Sequence, residues 1–339
     1  MWLGCSACLR PARPTQSQYR TTVRSTVPRE LLAGIETGGT KIVCAVAESP
    51  DEILAHTAFP TGTDPQVAMR TAAEFFADQA HQLSGNVAGL GIASFGPCDP
   101  DPASGTYGYV TSTPKPGWAQ ADVLGLALQA RVLAGDGEIA VGFDTDVGAA
   151  ALAEARYGAG RGLADLIYLT IGTGIGGGAV VDGGILHGLI HPEMGHMRIP
   201  RPAAEVAEFA GVCPYHGDCW EGIAAGPAIQ ARWEQPGQDL PNDHPAWDLE
   251  ADYVALGLHN LVVTLSPERI ILGGGVGSSP NVLTKVRRKL LESLAGYVDS
   301  PAILADIDSY VVAPELGDFA GVTGALELAR LAREQNHDG

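Results

Sequence analysis

The chain has 339 residues, 45% of them hydrophobic, and a formal net charge of −18 from 39 acidic and 21 basic side chains. That length and composition exclude a disordered or fibrous chain and allow two lobes, each with a core of its own. The acidity opposes a nucleic-acid surface, and no run reaches the ~18 apolar residues of a membrane span.

Residues 1–30 read as a disordered basic tail, with five arginines (Arg10, Arg13, Arg20, Arg24, Arg29) and no acid before Glu30. An Arg- and Ser-rich, acid-poor start is also the signature of a transit peptide, but Pro11, Pro14 and Pro28 interrupt any amphipathic helix. Cys5 and Cys8 form a C-x-x-C there with no strand around them, which reads as chance. Cys44 lies in an apolar run and Cys98 beside a proline, so a disulfide framework is not indicated. A reducing, cytoplasmic setting is expected.

The ordered part opens with "LLAGIETGGTKIVCAVAES", a strand, a Gly38-Gly39 turn and a second strand. "DPQVAMRTAAEFFADQAHQL" has helical spacing, "VAGLGIASFGP" is a buried strand, and "PGWAQADVLGLALQARV" reads as a helix after a loop. "EIAVGFDTDVGAAALAEARYGAG" is a strand ending near Asp144 and a helix from about Val147. The second half repeats the opening: "ADLIYLTIGTGIGGGAVVDGGILHG" is again strand, glycine turn, strand. An irregular stretch, 187–222, follows and is rich in His, Cys and Pro. Then come a helix ("DLEADYVALGLHNLVVTLSP"), a strand into a glycine turn ("RIILGGGVGSS"), and two further helices. The recurring hairpin suggests a duplicated fold with two glycine turns facing across a cleft.

Gly172, Gly174 and Gly177 have the G-x-G-x-x-G spacing of a dinucleotide-binding turn. That fingerprint needs a helix directly after the glycines, because the pyrophosphate rests on the helix N-terminus. Here "AVVDGGIL" follows, and Asp182-Gly183 is a hairpin-turn pair. An NAD(P) oxidoreductase is therefore disfavoured. Backbone N–H groups at such a turn can still cradle phosphate, and "ETGGTK" at 36–41 offers the same with the Lys41 ammonium added.

In order along the chain, "GIETGGTK", "DTDVGAAALAE", "LTIGTGIGGG", "HPEMGH", "CPYHGDCWEG" and "IILGGGVG" resemble the motifs of the ROK sugar kinases. The family's name joins repressors, open reading frames and kinases, and the likeness spans roughly 31–329. It implies an α/β, actin-like ATPase fold of two RNase H-like lobes around a central cleft. The expected division is an N-terminal lobe at 31–140, a C-terminal lobe at 141–317 with a zinc-bound loop at 187–222, and a helix at 318–334 packing back on the first lobe. It also implies transfer of phosphate from ATP, with Mg²⁺, to a hexose, and a homodimeric assembly.

By the same resemblance, Gly38, Gly39, Thr40 and Lys41 form the first phosphate motif and Gly172, Thr173 and Gly174 the second. Gly274 and Gly275 lie on the adenosine side. Asp146 is the expected base for the attacking sugar hydroxyl; Asp144 is the rival and the better helix cap. The position before the base is usually Asn, and Thr145 stands there as the sugar contact. Glu36 replaces the usual Asp of D-x-G-G-T. Both departures resemble the fructokinase branch, which makes fructose the expected substrate. Glu193, His196 and Glu221 are expected to hold sugar hydroxyls. Cys213, His216 and Cys219 fall at three-residue intervals, with His196 seventeen before Cys213. Two thiolates and two imidazoles suit a closed, structural Zn²⁺ site, although the family more often has three cysteines. His187 and His191 read as supporting or surface groups. A repressor of this family carries an N-terminal DNA-binding domain, for which residues 1–30 are too short and proline-broken.

Overall fold

The computed structural model describes residues 28–130 and 139–338. Most of the basic tail, the Cys5–Cys8 pair and the end of the helix expected near residue 131 lie outside the described residues. Two five-stranded sheets organise the rest. The first contains β1 (Arg29–Thr37), β2 (Lys41–Ser49), β3 (Glu52–Pro60) and β4 (Gly85–Ser94). A two-residue ladder of β5 (Tyr109–Val110) and β6 (Ala121–Asp122) stands apart, and β7 (Ala140–Thr145) completes the sheet in the order β3-β2-β1-β4-β7.

The second sheet contains β8 (Leu166–Ile171), β9 (Ile175–Val181), β10 (Gly184–Ile185), β11 (Arg269–Gly273) and β12 (Val311–Val312), in the order β10-β9-β8-β11-β12. In each sheet the first three strands are antiparallel neighbours and the last two run parallel to the first. Strand for strand, the two sheets have one topology. The duplication expected from the recurring hairpin is present.

The central strands are continuous apolar runs because both their faces are covered. β3, to which the sequence assigns no strand, is an edge strand whose alternate residues are exposed. Its polar His56 and Thr57 hide it from a search for apolar runs. The Asp182-Gly183 pair takes φ of 50° and 76°, the left-handed pair of a tight hairpin, so strand and not helix follows the second glycine turn. The expected lobe boundary at 141 falls inside β7, which pairs with β4 from Ala140 to Thr145. The first sheet therefore runs to Thr145.

The C-terminal helix, Ala320–Asp338, returns to lie on β1, β4 and β7. Its seat is made by glycines. A Cβ added to Gly91 would stand 1.7 Å from the Ala325 carbonyl oxygen, to Gly142 2.5 Å from that of Leu328, and to Gly89 2.8 Å from that of Ala329. The same helix crosses the helix Asp146–Tyr157, where a Cβ on Gly324 would meet the Ala149 carbonyl at 2.1 Å. Asp146–Tyr157 in turn packs on β8, β9 and β10, so this crossed pair joins the two sheets. The second sheet has the larger core, closed by the helices Ala246–Leu265 and Pro280–Leu294. Among the described residues no helix is long and apolar enough to cross a membrane.

Gly91→Ala is expected to lower the unfolding free energy by about 1–3 kcal/mol or more, because backbone on both sides of the contact must shift. Gly105→Ala, where an added Cβ meets nothing within 4 Å, should be nearly neutral in the same urea titration.

Candidate active site

The two glycine turns open into one cleft of about 900 Å³ between the sheets. At the β1–β2 turn, Gly38 N–H donates to the Lys41 carbonyl (2.9 Å), and Thr61 Oγ1 donates to the Gly38 carbonyl (2.7 Å). Lys115 Nζ donates to the Gly39 carbonyl at 2.5 Å. At the β8–β9 turn, Gly172 N–H donates to Gly174 (2.9 Å), and Gly226 N–H donates back to Gly172 (2.7 Å). Glu221 Oε2 accepts the Ile175 N–H at 3.0 Å and lies where a Cβ on Gly174 would come within 2.6 Å. A glycine is needed there because a carboxylate occupies the side-chain space.

Gly39, Thr40, Gly172, Thr173 and Gly174 line the cleft. Gly38 and Lys41, which close the same turn, are not part of the lining. Gly274 and Gly275 lie outside the lining, at the start of the short helix Gly274–Gly277. Gly274 has φ of 81°, and a Cβ on it would meet the Ile171 carbonyl at 2.3 Å, so this helix tucks against the strand end that leads into the second turn.

β7 and the helix that follows it bring Thr145 and Asp146 to the cleft lining, with Asp144 buried beside them. The helix starts at Asp146, one residue earlier than expected, and Thr145 is therefore its cap: Thr145 Oγ1 accepts the Gly148 N–H at 2.9 Å. This corrects the expectation that Asp144 caps the helix. Thr145 borders the cleft, but it is buried and its hydroxyl is engaged. Asp144 Oδ1 accepts the Thr145 N–H at 2.7 Å, and its Oδ2 lies 2.9 Å from His187 Nε2. Only Asp146 of the two aspartates lines the cleft.

Glu193, His196, His216 and Glu221 reach the same cleft from the irregular loop. Burial pushes the Asp146 carboxyl up to about 8, with the nearby charges of Glu36 and Glu193 adding to it. Burial raises Glu36 to about 7 against the pull of Lys41, and raises Glu193 to about 7 with help from Glu221. Three carboxyl groups thus share one cleft and titrate near neutrality, a property common at catalytic sites.

His196, Cys213, His216 and Cys219 come together although 23 residues separate the first from the last. One donor atom from each lies within 4.8 Å of all the others. His196 Nδ1 is 3.4 Å from Cys219 Sγ and 3.8 Å from Cys213 Sγ, and His216 Nδ1 is 3.7 Å from Cys213 Sγ. A tetrahedron with Zn–S arms of ~2.3 Å and Zn–N arms of ~2.0 Å has edges of about 3.3–3.8 Å. The three distances match those edges, and two thiols with two imidazoles are a donor set suited to that ion. A tight turn in which Gly217 has φ of 66° brings Cys213 and His216 to one side.

The loop is anchored by contacts that the sequence did not reveal. Glu205 takes Arg201, four residues earlier (2.7 Å), and from distant segments Arg232 (2.7 Å) and the Tyr253 hydroxyl (2.6 Å). His191 is buried, and its Nε2 accepts the Cys98 N–H at 3.1 Å, which leaves the ring proton on Nδ1. Gly96 has no Cβ to clash with His191 or Glu193, each of which would lie within 3.1–3.2 Å of one. Lys115 also lines the cleft; the only signal for it was the loop "STPKPGW" itself.

Because Asp146 keeps its proton to about pH 8 when folded, while an unfolded Asp loses it near pH 4, its burial costs more stability as pH rises between these values. Asp146→Asn should therefore raise the melting temperature clearly at pH 8 and little at pH 4. Equal shifts at both pH values would show that the carboxyl is not held neutral.

A sequence profile of the ROK family matches residues 32–332. The chain is 41% identical to a fructokinase of Zymomonas mobilis, over 91% of its own length and 99% of the relative's. It is 39% identical to a fructokinase of Lactococcus lactis, over 85% and 93%. Among solved structures, a ROK glucokinase from Streptomyces griseus in complex with glucose and AMPPNP superposes with a TM-score of 0.69 at 26% identity. That match covers 89% of this chain and 99% of the other. With the repeated sheet topology, the two glycine turns and the His/Cys loop in place, the chain belongs to the ROK family.

Proposed function

We propose that the chain is an ATP-dependent hexose kinase whose preferred acceptor is fructose, giving fructose 6-phosphate and ADP. The observation that carries this reading is the single cleft in which Asp146, Glu193 and Glu221 face two glycine turns. The carboxyl groups suit a polyol rich in hydroxyl donors, and the turns suit a polyphosphate. Fructose is favoured by the two relatives at about 40% identity, both fructokinases.

In this reading the N–H groups of Gly39, Thr40, Thr173 and Gly174, with the Thr40 and Thr173 hydroxyls, take the phosphate oxygens, while those of Gly38 and Gly172 close the two turns. Gly274 and Gly275 serve the adenosine side. Lys115 and Lys41 offset charge near the first turn. Glu193, Glu221 and His196 Nε2 orient the sugar. Asp146 accepts the proton of the 6-hydroxyl as that oxygen bonds to the γ-phosphorus and the bond to the β–γ bridging oxygen breaks. In its ionised form it is a stronger proton acceptor than an exposed carboxylate, because burial raises its pKa. Thr145 shapes the turn that carries Asp146 and makes no sugar contact through its engaged hydroxyl.

Glu36, whose buried Oε2 has no hydrogen-bond partner, is the residue that would face Mg²⁺ brought with ATP, which would supply positive charge to the phosphates. Zn²⁺ would be held by Cys213, Cys219, His196 and His216, a closed set that leaves no position for substrate. The loop's few short helical turns gain rigidity from such a site, and Glu193 and Glu221 gain fixed positions. The reading includes a cytoplasmic homodimer; no disulfide joins the four described cysteines.

A coupled ADP assay with fructose, glucose, mannose and N-acetylmannosamine should give the highest kcat/KM for fructose. Asp146→Asn should lower kcat by about 10²–10⁴-fold while ATP still binds in calorimetry. ADP release with none of the sugars would reject the kinase. For the metal, freshly purified protein should carry one zinc per chain, and its removal by a chelator should lower the melting temperature and raise KM for the sugar. Metal analysis without stoichiometric zinc would refute the cluster.

A further inference from the structure

His187 lies just beyond β10, on the side of the second sheet, yet its partner belongs to the first. Its Nε2 is 2.9 Å from Oδ2 of Asp144 in β7. The Asp144 side chain is 5% exposed, that of His187 38%. The other oxygen of Asp144 accepts the Thr145 N–H at 2.7 Å and lies 3.3 Å from the Thr145 hydroxyl. That hydroxyl caps the first turn of the helix that begins with Asp146. The strand before His187 joins the same contact: a Cβ on Gly148 would come within 3.1 Å of the Ile185 side chain.

We propose that His187 is a positioning residue for phosphoryl transfer: it holds Asp144, and through Asp144 and Thr145 it sets the turn that presents Asp146. This rests on the reading of Asp146 as the base. Asp144 is shut away from the cleft, so its charge serves the chain itself and not a substrate. The other titratable groups around it are Cys98, Tyr107, Asp146 and His191, none of which carries a fixed positive charge. His187 is thus the one side chain found to form an ion pair with it among the described residues. A hydrogen bond to a buried carboxylate restricts its rotation, and displacement of a reacting group by about 1 Å can cost 10²-fold in rate. The contact also spans the two sheets, so it ties the placement of the base to the arrangement of the lobes.

The test is a comparison of His187→Ala, His187→Gln, Asp144→Asn and the double variant His187→Ala/Asp144→Asn in steady-state kinetics with fructose and Mg-ATP, with thermal melts alongside. His187→Ala should lower kcat about 10- to 100-fold with KM for ATP within about twofold, and should also lower the melting temperature, because the buried Asp144 loses the ion-pair partner found for it. His187→Gln, which keeps an N–H donor, should recover part of the loss. The double variant should be no slower than the slower single one, because both act through one contact. A kcat for His187→Ala within twofold of wild type, or losses that multiply in the double variant, would overturn the proposal. If Asp144→Asn does not fold, the Ala and Gln pair decides, and equal kcat for those two would overturn it as well. Wild-type protein that phosphorylates no hexose would overturn the kinase reading and this one together.

Discussion

The backbone of the C-terminal helix lies directly against the first sheet, and much else depends on that contact. A helix normally rests on a sheet through interdigitated side chains, but here Gly89, Gly91 and Gly142 let carbonyl groups touch strands. The helix can then cross Asp146–Tyr157 closely, with Gly324 against Ala149. Both sheets are built on that crossed pair. The hairpin turn of each sheet consequently faces the same space, and β7 ends on its floor. A chain whose last helix sat a few ångströms higher would keep both sheets but not this cleft.

Into the cleft the fold brings more negative charge than an acidic protein can easily hold there. Asp146, Glu36 and Glu193 respond by binding protons up to about pH 7–8, because burial disfavours the charged forms, with Glu36 and Glu193 adding to Asp146, Asp318 to Glu36 and Glu221 to Glu193. That is a cost to stability and an advantage for accepting a proton from an alcohol. The local donors offsetting this field are few: Lys41 closing the first turn, Lys115 on the wall, and backbone N–H groups of the turns. The net charge of the whole chain therefore says little about its affinity for a polyphosphate, which these local groups decide.

The loop between β10 and the helix Trp220–Ala224 has little regular structure of its own, and its order comes from three kinds of side-chain contact. The His/Cys cluster gathers its middle. Glu205, nearly buried between Arg201 and Arg232, ties it to the second core, where an unpaired charge would be expensive. His187 attaches it to the end of β7 in the first sheet, and His191 to Cys98 in the segment that follows β4. Glu193 and Glu221 sit between these anchors. Their positions follow from the anchors and from no hydrogen-bonded ladder.

Much of this was legible in the residue order. Apolar runs and glycine turns are local signals, so both hairpins, most helices and the exclusion of a dinucleotide fold could be read directly, the last from Asp182-Gly183 alone. The His/Cys spacing also carried its meaning, since a metal cluster requires particular donor atoms. Other features depend on segments that meet only after folding. Thr145 rather than Asp144 caps the helix because of where β7 ends. Asp144 turns to His187, 43 residues later by simple counting, while Asp146 turns to the cleft. Lys115, Glu205 and His191 find partners 40 to 100 residues away, roughly, and nothing in their neighbours announces it. The sequence by itself determined which groups could do chemistry, because side-chain type and turn propensity are local. Only the tertiary structure decided which of them share a cleft, how their charges shift one another, and which are held in place from the far sheet, because burial and Coulomb interaction depend on distance in space and not along the chain.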